Sequence, residues 1–500
     1  MIKKVKIKKS RIILLFIILI GLVSRLMSFI IGPVLLSNLN SNIFPDEASF
    51  LVYAKYLLIG ETPPIPISYH GSIIISSLIA LFYSVFGVQV IVGRLISVIF
   101  GTLTIGVVYY FSRELFNNEK VAILSALFIS ISAVLRFWDI RALSDGPLTF
   151  FFVLSMFLFF KGLKSEKIKF FILAGISSVI AFLVKYPGFL VLIIMSIYFL
   201  IIILKRDIRT KKRKIFVNFS ITIITFSVSI IFLLLSQFAI KYQPFLQIGA
   251  YIQGLVFQNT NFLYYILYLL SLNTVYGILM IIFLSFIIIY SIIKLNYGIL
   301  LLLIWSIVVF IFFSLYGPSE LYRYLLPAFP ALYMLISYFF ITTISPNLKI
   351  FRTHNNWFKK SIVLLLIMSL ISFISLEITF GEYIIVKRSN TYNGVYNCSN
   401  WLFSNAYPES NIMAPSNALS QLEFYTSSNY NYYTLSSADS WSDIVMDLRN
   451  NHINYVIISV LQYPETQNLP ICTLLPLHLT PIYNSTDGDF ITYIYNTTGI

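Results

Sequence analysis

Asn42–Gly60 reads NIFPDEASFLVYAKYLLIG, and how this stretch is read decides how the rest of the chain is understood. It is the first polar break after an opening membrane-length apolar segment, and it sets Asp46 and Glu47 side by side just past that segment's end. Pro45 suits the first position of a helix, where its missing N–H costs nothing. Phe50, Tyr53, Ala54, Leu57 and Leu58 then follow helical spacing, which predicts a short amphipathic helix. Asp46, four residues before Phe50, falls on the apolar face, and Glu47 points about 100° away. A carboxylate desolvated in this way is a better base than one at a surface. The competing reading is that both acids only complement the positive end of a helix dipole.

Outward from this stretch the chain is mostly apolar. Of 500 residues, 58% are hydrophobic and only 11% charged, which excludes an ordinary soluble protein. Apolar segments at 12–36, 90–111, 121–135, 148–160, 170–184, 189–204, 215–240, 263–293, 299–315, 325–344 and 362–380 predict about 11 transmembrane helices. Ile73–Phe86 is short and carries Ser76, Ser77 and Ser84, so it reads as a helix lying at the membrane surface. The net charge of +15 is spread as basic clusters between apolar spans, the pattern that orients membrane proteins. Nucleic acid is not an expected partner, because the chain has no glycine-rich phosphate loop, zinc-type spacing or nucleic-acid motif. The basic clusters at residues 3–11 and 205–214 are expected on the cytoplasmic side. The expectation is a multi-pass protein of the cell (plasma) membrane, and an odd number of crossings then puts its C-terminal part on the extracytoplasmic side. Arg25, inside the first span, is either a functional residue or an arginine snorkelling to the outer interface.

Residues 383–500 are different material, rich in Asn, Ser, Tyr and Thr. Strands are expected at 412–415, 432–435 and 455–460, with a helix capped by Ser440 and a turn at 486–488 between two closing strands. The expected organisation is therefore a polytopic α-helical membrane domain, 1–382, and a small extracytoplasmic α/β domain, 383–500. Cys398 and Cys472 both fall in the latter, as one disulfide or as two free thiols.

The acids expected on or near the outer face are Asp46, Glu47, Glu61, Asp139, Asp145, Glu320, Glu377 and Glu382. Outer loops also carry Lys55, His70, Arg136, Arg141, Lys185, Lys241 and Arg323. Acids beside cations at one membrane face suit a reaction on a phosphate-bearing lipid. Cations would hold the phosphate by charge-assisted hydrogen bonds, and an acid would take the proton of an acceptor hydroxyl. A phosphate leaves already charged, so it needs cations more than a proton donor.

PDEASFLVYAKYLL after a first transmembrane helix resembles the acidic motif of membrane glycosyltransferases with the GT-C fold, which include protein O-mannosyltransferases and aminoarabinose transferases. The resemblance continues, in order, through GRLISVIFGTLTIGVVYYFSRELF, RALSDGPLTFFFVLSMFLFF, FLVKYPGFLVL and YRYLLPAFPALYMLISYFF. It implies an inverting transfer from a polyprenyl- or dolichyl-phosphate-linked sugar to a hydroxyl of a protein, lipid or glycan. It implies Asp46 as the base, Glu47 as its neighbour in the motif and Asp145 as a second-loop acid that shapes the site. Arg141, Lys185 and Arg323 would hold the donor phosphate. His70 sits where many relatives have a histidine or lysine, although Gly71 and Ser72 replace the prolines that usually follow. The oligosaccharyltransferase signature WWDYG is absent from the chain. No cofactor is required by this reading, and a divalent metal is optional. The alternatives are a lipid-linked oligosaccharide transferase and, in a different class, a transporter or flippase. Transporters commonly show repeated halves and midplane charge, and this sequence shows neither clearly.

Overall fold

The computed structural model describes residues 9–31, 43–61, 73–205, 209–240, 285–316, 322–353, 357–387, 392–427, 429–460, 469–487 and 490–500. They form two compact units: Met1–Ser24, Ile99–Trp138 and Asp145–Gly381 in one, and Arg25–Val98, Asp139–Ser144 and Glu382–Ile500 in the other. The membrane and extracytoplasmic domains expected from sequence divide near residue 382, whereas the second unit joins residues 25–98 to the C-terminal sheet. Ten of the eleven predicted apolar segments coincide with helices. Most of the other, 263–293, lies outside the described residues. Among the described residues, six helices are long and apolar enough to cross a membrane, or seven if a bent pair counts as one.

That bent pair lies in the first unit. Helices α5 (Glu119–Ile131) and α6 (Ala133–Asp139) meet at Ser132 with a bend of 53°. The start of the outer loop expected between the apolar segments 121–135 and 148–160 is thus the end of a helix. A broken apolar span is tolerated where protein groups take over the freed backbone. Here Glu377 does so. Its Oε2 accepts the Ala133 N–H at 2.9 Å, and its Oε1 accepts the Tyr333 hydroxyl at 2.9 Å. Tyr333 Oη lies 2.8 Å from Ser132 Oγ. Glu377 is therefore a helix-capping acid within the packed helices.

The segment KYPGF breaks another apolar run in the same unit. Helix α8 (Ile168–Val184) ends, Tyr186–Phe189 forms one 3-10 turn, and α9 (Leu190–Lys205) continues. Gly188 backs onto α8 so closely that a Cβ there would stand 2.2 Å from the Ala181 carbonyl carbon. Neither backbone can yield cheaply. Gly188→Ala is expected to cost about 1–3 kcal/mol through overpacking, read as a lower thermal midpoint in detergent. A midpoint equal to wild type would refute the close approach.

The second unit contains α2 (Pro45–Ile59), α3 (Ile73–Phe86) and a five-stranded sheet. Strands β1 (Asn411–Ala414), β2 (Asn431–Thr434), β3 (Tyr455–Val460), β4 (Tyr483–Asp487) and β5 (Phe490–Asn496) lie in the order β2-β1-β3-β5-β4. β1 pairs in parallel with β2 and β3, and β5 runs antiparallel to β3 and β4. Alternation along the strands gives the sheet two apolar faces. Ile412, Ala414, Tyr432, Ile457 and Ile494 pack on one face, and Met413, Val456, Ile458 and Tyr495 on the other. The helix from Trp441 to Asn450 is capped by Ser440, whose hydroxyl accepts the Asp443 N–H.

This alternation also answers the cysteine question. Cys398 packs on the first face and Cys472 against the second. A disulfide needs Cα atoms within about 7 Å, and here the sheet stands between them. Neither cysteine forms a disulfide. Burial pushes the Cys472 thiol up to about 11, so it stays protonated and inert at neutral pH.

Candidate active site

In the second unit the acidic stretch forms the helix expected of it, but the two acids exchange places. Glu47 is fully buried and Asp46 is half-buried. The cause is the helix start. Phe44 is the N-cap, so Glu47 is the third helical residue, the position whose side chain turns back to the cap. Glu47 Oε2 accepts the Phe44 N–H at 3.1 Å. Nor is α2 amphipathic, because Glu47 to Val52 are buried without interruption while Leu57 and Leu58 are exposed. Several elements surround its first turns, namely α3, residues 139–144, the helix α4 (Val90–Phe116) that carries Arg94, and a C-terminal-domain helix, Ser416–Thr426.

Glu47 is the hub of this cluster. Its Oε1 accepts from Arg94 Nε at 2.7 Å and from the Ala142 N–H at 2.8 Å. Its Oε2 accepts from Arg94 Nη2 at 3.1 Å and lies 4.0 Å from Arg141 Nη1. Burial by itself would raise its pKa, but the Arg94 guanidinium, Arg141 and the Ala142 N–H together hold it below the usual glutamate value. A carboxylate with both oxygens so engaged is a strut rather than a base. It ties the second outer loop, through Arg141 and Ala142, to the helix that carries Asp46. The Arg141 guanidinium also lies over the Phe44 ring at 5.5 Å. Asp46 occupies the helix's first turn, its backbone carbonyl accepting the Ser49 hydroxyl at 2.7 Å.

Arg25 belongs to the same unit and does not snorkel to an interface. It is fully buried, with Nε and Nη2 both on Asp139 Oδ2 at 2.9 and 2.8 Å. Asp139, one of the expected outer acids, is thereby its counter-ion.

A second group of expected site residues comes together in the first unit. Asp145 begins the helix α7 (Asp145–Ser165), and its Oδ1 accepts from Lys185 Nζ at 2.6 Å. Lys185 Nζ lies 4.9 Å from the centroid of the Tyr324 ring. The Arg323 guanidinium stands 5.6 Å from the centroids of both Tyr324 and Trp138. Two cations thus share aromatic walls with one carboxylate, an arrangement that favours a further anion. Asp145 and Arg323 are buried, while Lys185 keeps partial access to solvent. His70 lies outside the described residues.

Sequence reasoning passed over Trp138 and Tyr324, and read Arg94 as a packing residue at the outer start of its span. An arginine at the start of an apolar span was a signal for Arg94, but its partner is 47 residues away and carries no local mark. Among the described residues, no three His, Cys, Asp or Glu side chains gather where they could hold a metal ion.

A family model described as dolichyl-phosphate-mannose-protein mannosyltransferase matches residues 70–232. Across almost the whole chain, the structure is similar to the archaeal oligosaccharyltransferase AglB from Archaeoglobus fulgidus in complex with an inhibitory peptide and a dolichol-phosphate. That likeness has a TM-score of 0.64 at 13% identity and covers 98% of this chain and 74% of the other. ArnT from Cupriavidus metallidurans bound to undecaprenyl phosphate is similar at a TM-score of 0.62 and 14% identity, covering 96% and 97%. The chain has the GT-C glycosyltransferase fold. An uncharacterized protein of Aquifex aeolicus is 29% identical to this GT-C chain over 154 residues, which span 30% of this chain and 31% of that protein.

Proposed function

We propose that this GT-C chain is an integral membrane glycosyltransferase that moves a sugar from a polyprenyl-phosphate donor to an acceptor hydroxyl on the outer face of the membrane. The observation that carries the reading is the Asp145–Lys185–Tyr324–Arg323 group on a GT-C fold. Lys185 and Arg323 hold the donor phosphate, and Asp145 keeps the Lys185 ammonium in place. Asp46 takes the proton of the acceptor hydroxyl as its oxygen attacks the anomeric carbon. The bond from that carbon to the phosphate oxygen breaks, and polyprenyl phosphate departs with both electrons of that bond. Attack from the face opposite the leaving group inverts the anomeric centre. Glu47 contributes by fixing the helix that presents Asp46.

AglB and ArnT are described with dolichol-phosphate and undecaprenyl phosphate, which supports a lipid-phosphate donor here. A lipid-linked oligosaccharide is the second reading, favoured by the similarity to AglB. Purified protein in nanodiscs, offered labelled polyprenyl-phosphate monosaccharides and a lipid-linked oligosaccharide with hydroxyl acceptors, tests both. Transfer of a single sugar is expected; transfer of the oligosaccharide alone would select the second reading, and no transfer would remove both. Lys185→Ala is expected to raise the donor KM by roughly tenfold or more, from the loss of a charge-assisted hydrogen bond. An unchanged donor KM would take Lys185 out of the phosphate site.

A further inference from the structure

The C-terminal domain touches the acidic helix at both of its ends. The helix Ser416–Thr426 supplies both contacts. Gln421 Nε2 donates to the Ile43 carbonyl at 2.5 Å, and Glu423 Oε1 accepts the Tyr56 hydroxyl at 2.5 Å. Gln421 and Glu423 are buried, as is Ile43. Lys55, beside Tyr56, supplies positive charge near Glu423.

The contact at the head of the helix is the informative one. The Ile43 carbonyl and the Phe44 N–H belong to a single peptide group. Its oxygen is held by Gln421, and its N–H is held by Glu47 Oε2 at 3.1 Å. A peptide plane fixed at both polar atoms cannot rotate, and it lies two residues before Asp46. We propose that Gln421 is a positioning residue for the transfer reaction, holding the Ile43–Phe44 peptide so that α2 presents Asp46 in one orientation. The small domain thereby takes part in orienting the base. The proposal rests on the reading of Asp46 as the base. It is independent of the phosphate group, because none of the residues involved belongs to it.

Gln421→Met keeps the length of the side chain and removes the donor. In nanodiscs it is expected to lower kcat about 10- to 100-fold, the usual effect of misplacing a catalytic group, with the donor KM unchanged. Gln421→His, which keeps an N–H donor, is expected to recover most of the loss. Hydrogen exchange of peptides covering residues 43–50 should be faster in Gln421→Met, a readout that needs no substrate. Gln421→Asn, one methylene shorter, is measured in the same way should the methionine variant not accumulate. Unchanged exchange would overturn the clamp whatever the activity. Faster exchange with wild-type kcat would overturn the positioning role. A wild-type protein inactive on every polyprenyl-phosphate sugar, with exchange still faster in the variant, would instead remove the proposed function and leave only a structural clamp.

Discussion

Asp46→Asn is expected to abolish sugar transfer while the protein keeps its thermal midpoint. The half-buried side chain sits in the first turn of α2, and an amide of the same size fits there. Losing the carboxylate's interaction with the helix dipole costs only about 0.3–1 kcal/mol. General-base catalysis typically contributes about 10²–10⁴ in rate, so turnover should fall by that factor or to background. Initial rates with a labelled polyprenyl-phosphate sugar, beside a thermal melt of the same preparation, separate the two effects. Transfer near the wild-type rate would remove Asp46 as the base.

Glu47→Gln is expected to do something different, unfolding the protein far more readily. Both oxygens of Glu47 receive hydrogen bonds, from Arg94, Ala142 and Phe44. An amide in this place must turn its NH₂ toward one set of donors, and it leaves the Arg94 charge without its counter-ion. Breaking one half of a buried ion pair costs about 3–5 kcal/mol, visible as a large fall in thermal midpoint. The same group sets a pH dependence. Its folded pKa lies below the usual 4.5, so its stabilisation is complete above that value and is lost as pH falls through the lower, folded value. Wild type should therefore lose stability on acidification below about pH 4.5, and Glu47→Gln should lose less over that range. Equal acid sensitivity in the two proteins, with equal midpoints at neutral pH, would show that Glu47 is not the hub described.

Much of this was legible in the sequence, because local physics wrote it. Apolar runs marked ten helical segments, and Ser440 gave a cap. The strand expected at 455–460 is present, and it is buried on both faces. What could not be read is what depends on a distant partner. The apolar stripe through Phe50 and Tyr53 placed Asp46 inward, but the cap interaction at Phe44 and the elements packed around α2 place Glu47 there. Arg25 looked like a functional or interfacial charge because Asp139, its counter-ion, is 114 residues away. The resemblance marked Lys185 as a phosphate-holding cation, but its ion pair with Asp145, 40 residues away, carries no local mark. The bend at Ser132 is invisible in a run of apolar residues, since Glu377, which permits it, comes 244 residues after Ala133.

The bond from Gln421 to Ile43 spans 378 positions of the chain. At about 5–20 residues per second of synthesis, the ribosome delivers the second partner roughly 20–75 s after the first. Throughout that interval the nascent polypeptide carries its acidic helix without the amide that secures it. A chain stopped before residue 421 therefore lacks the amide that holds the Ile43 carbonyl at the head of this helix.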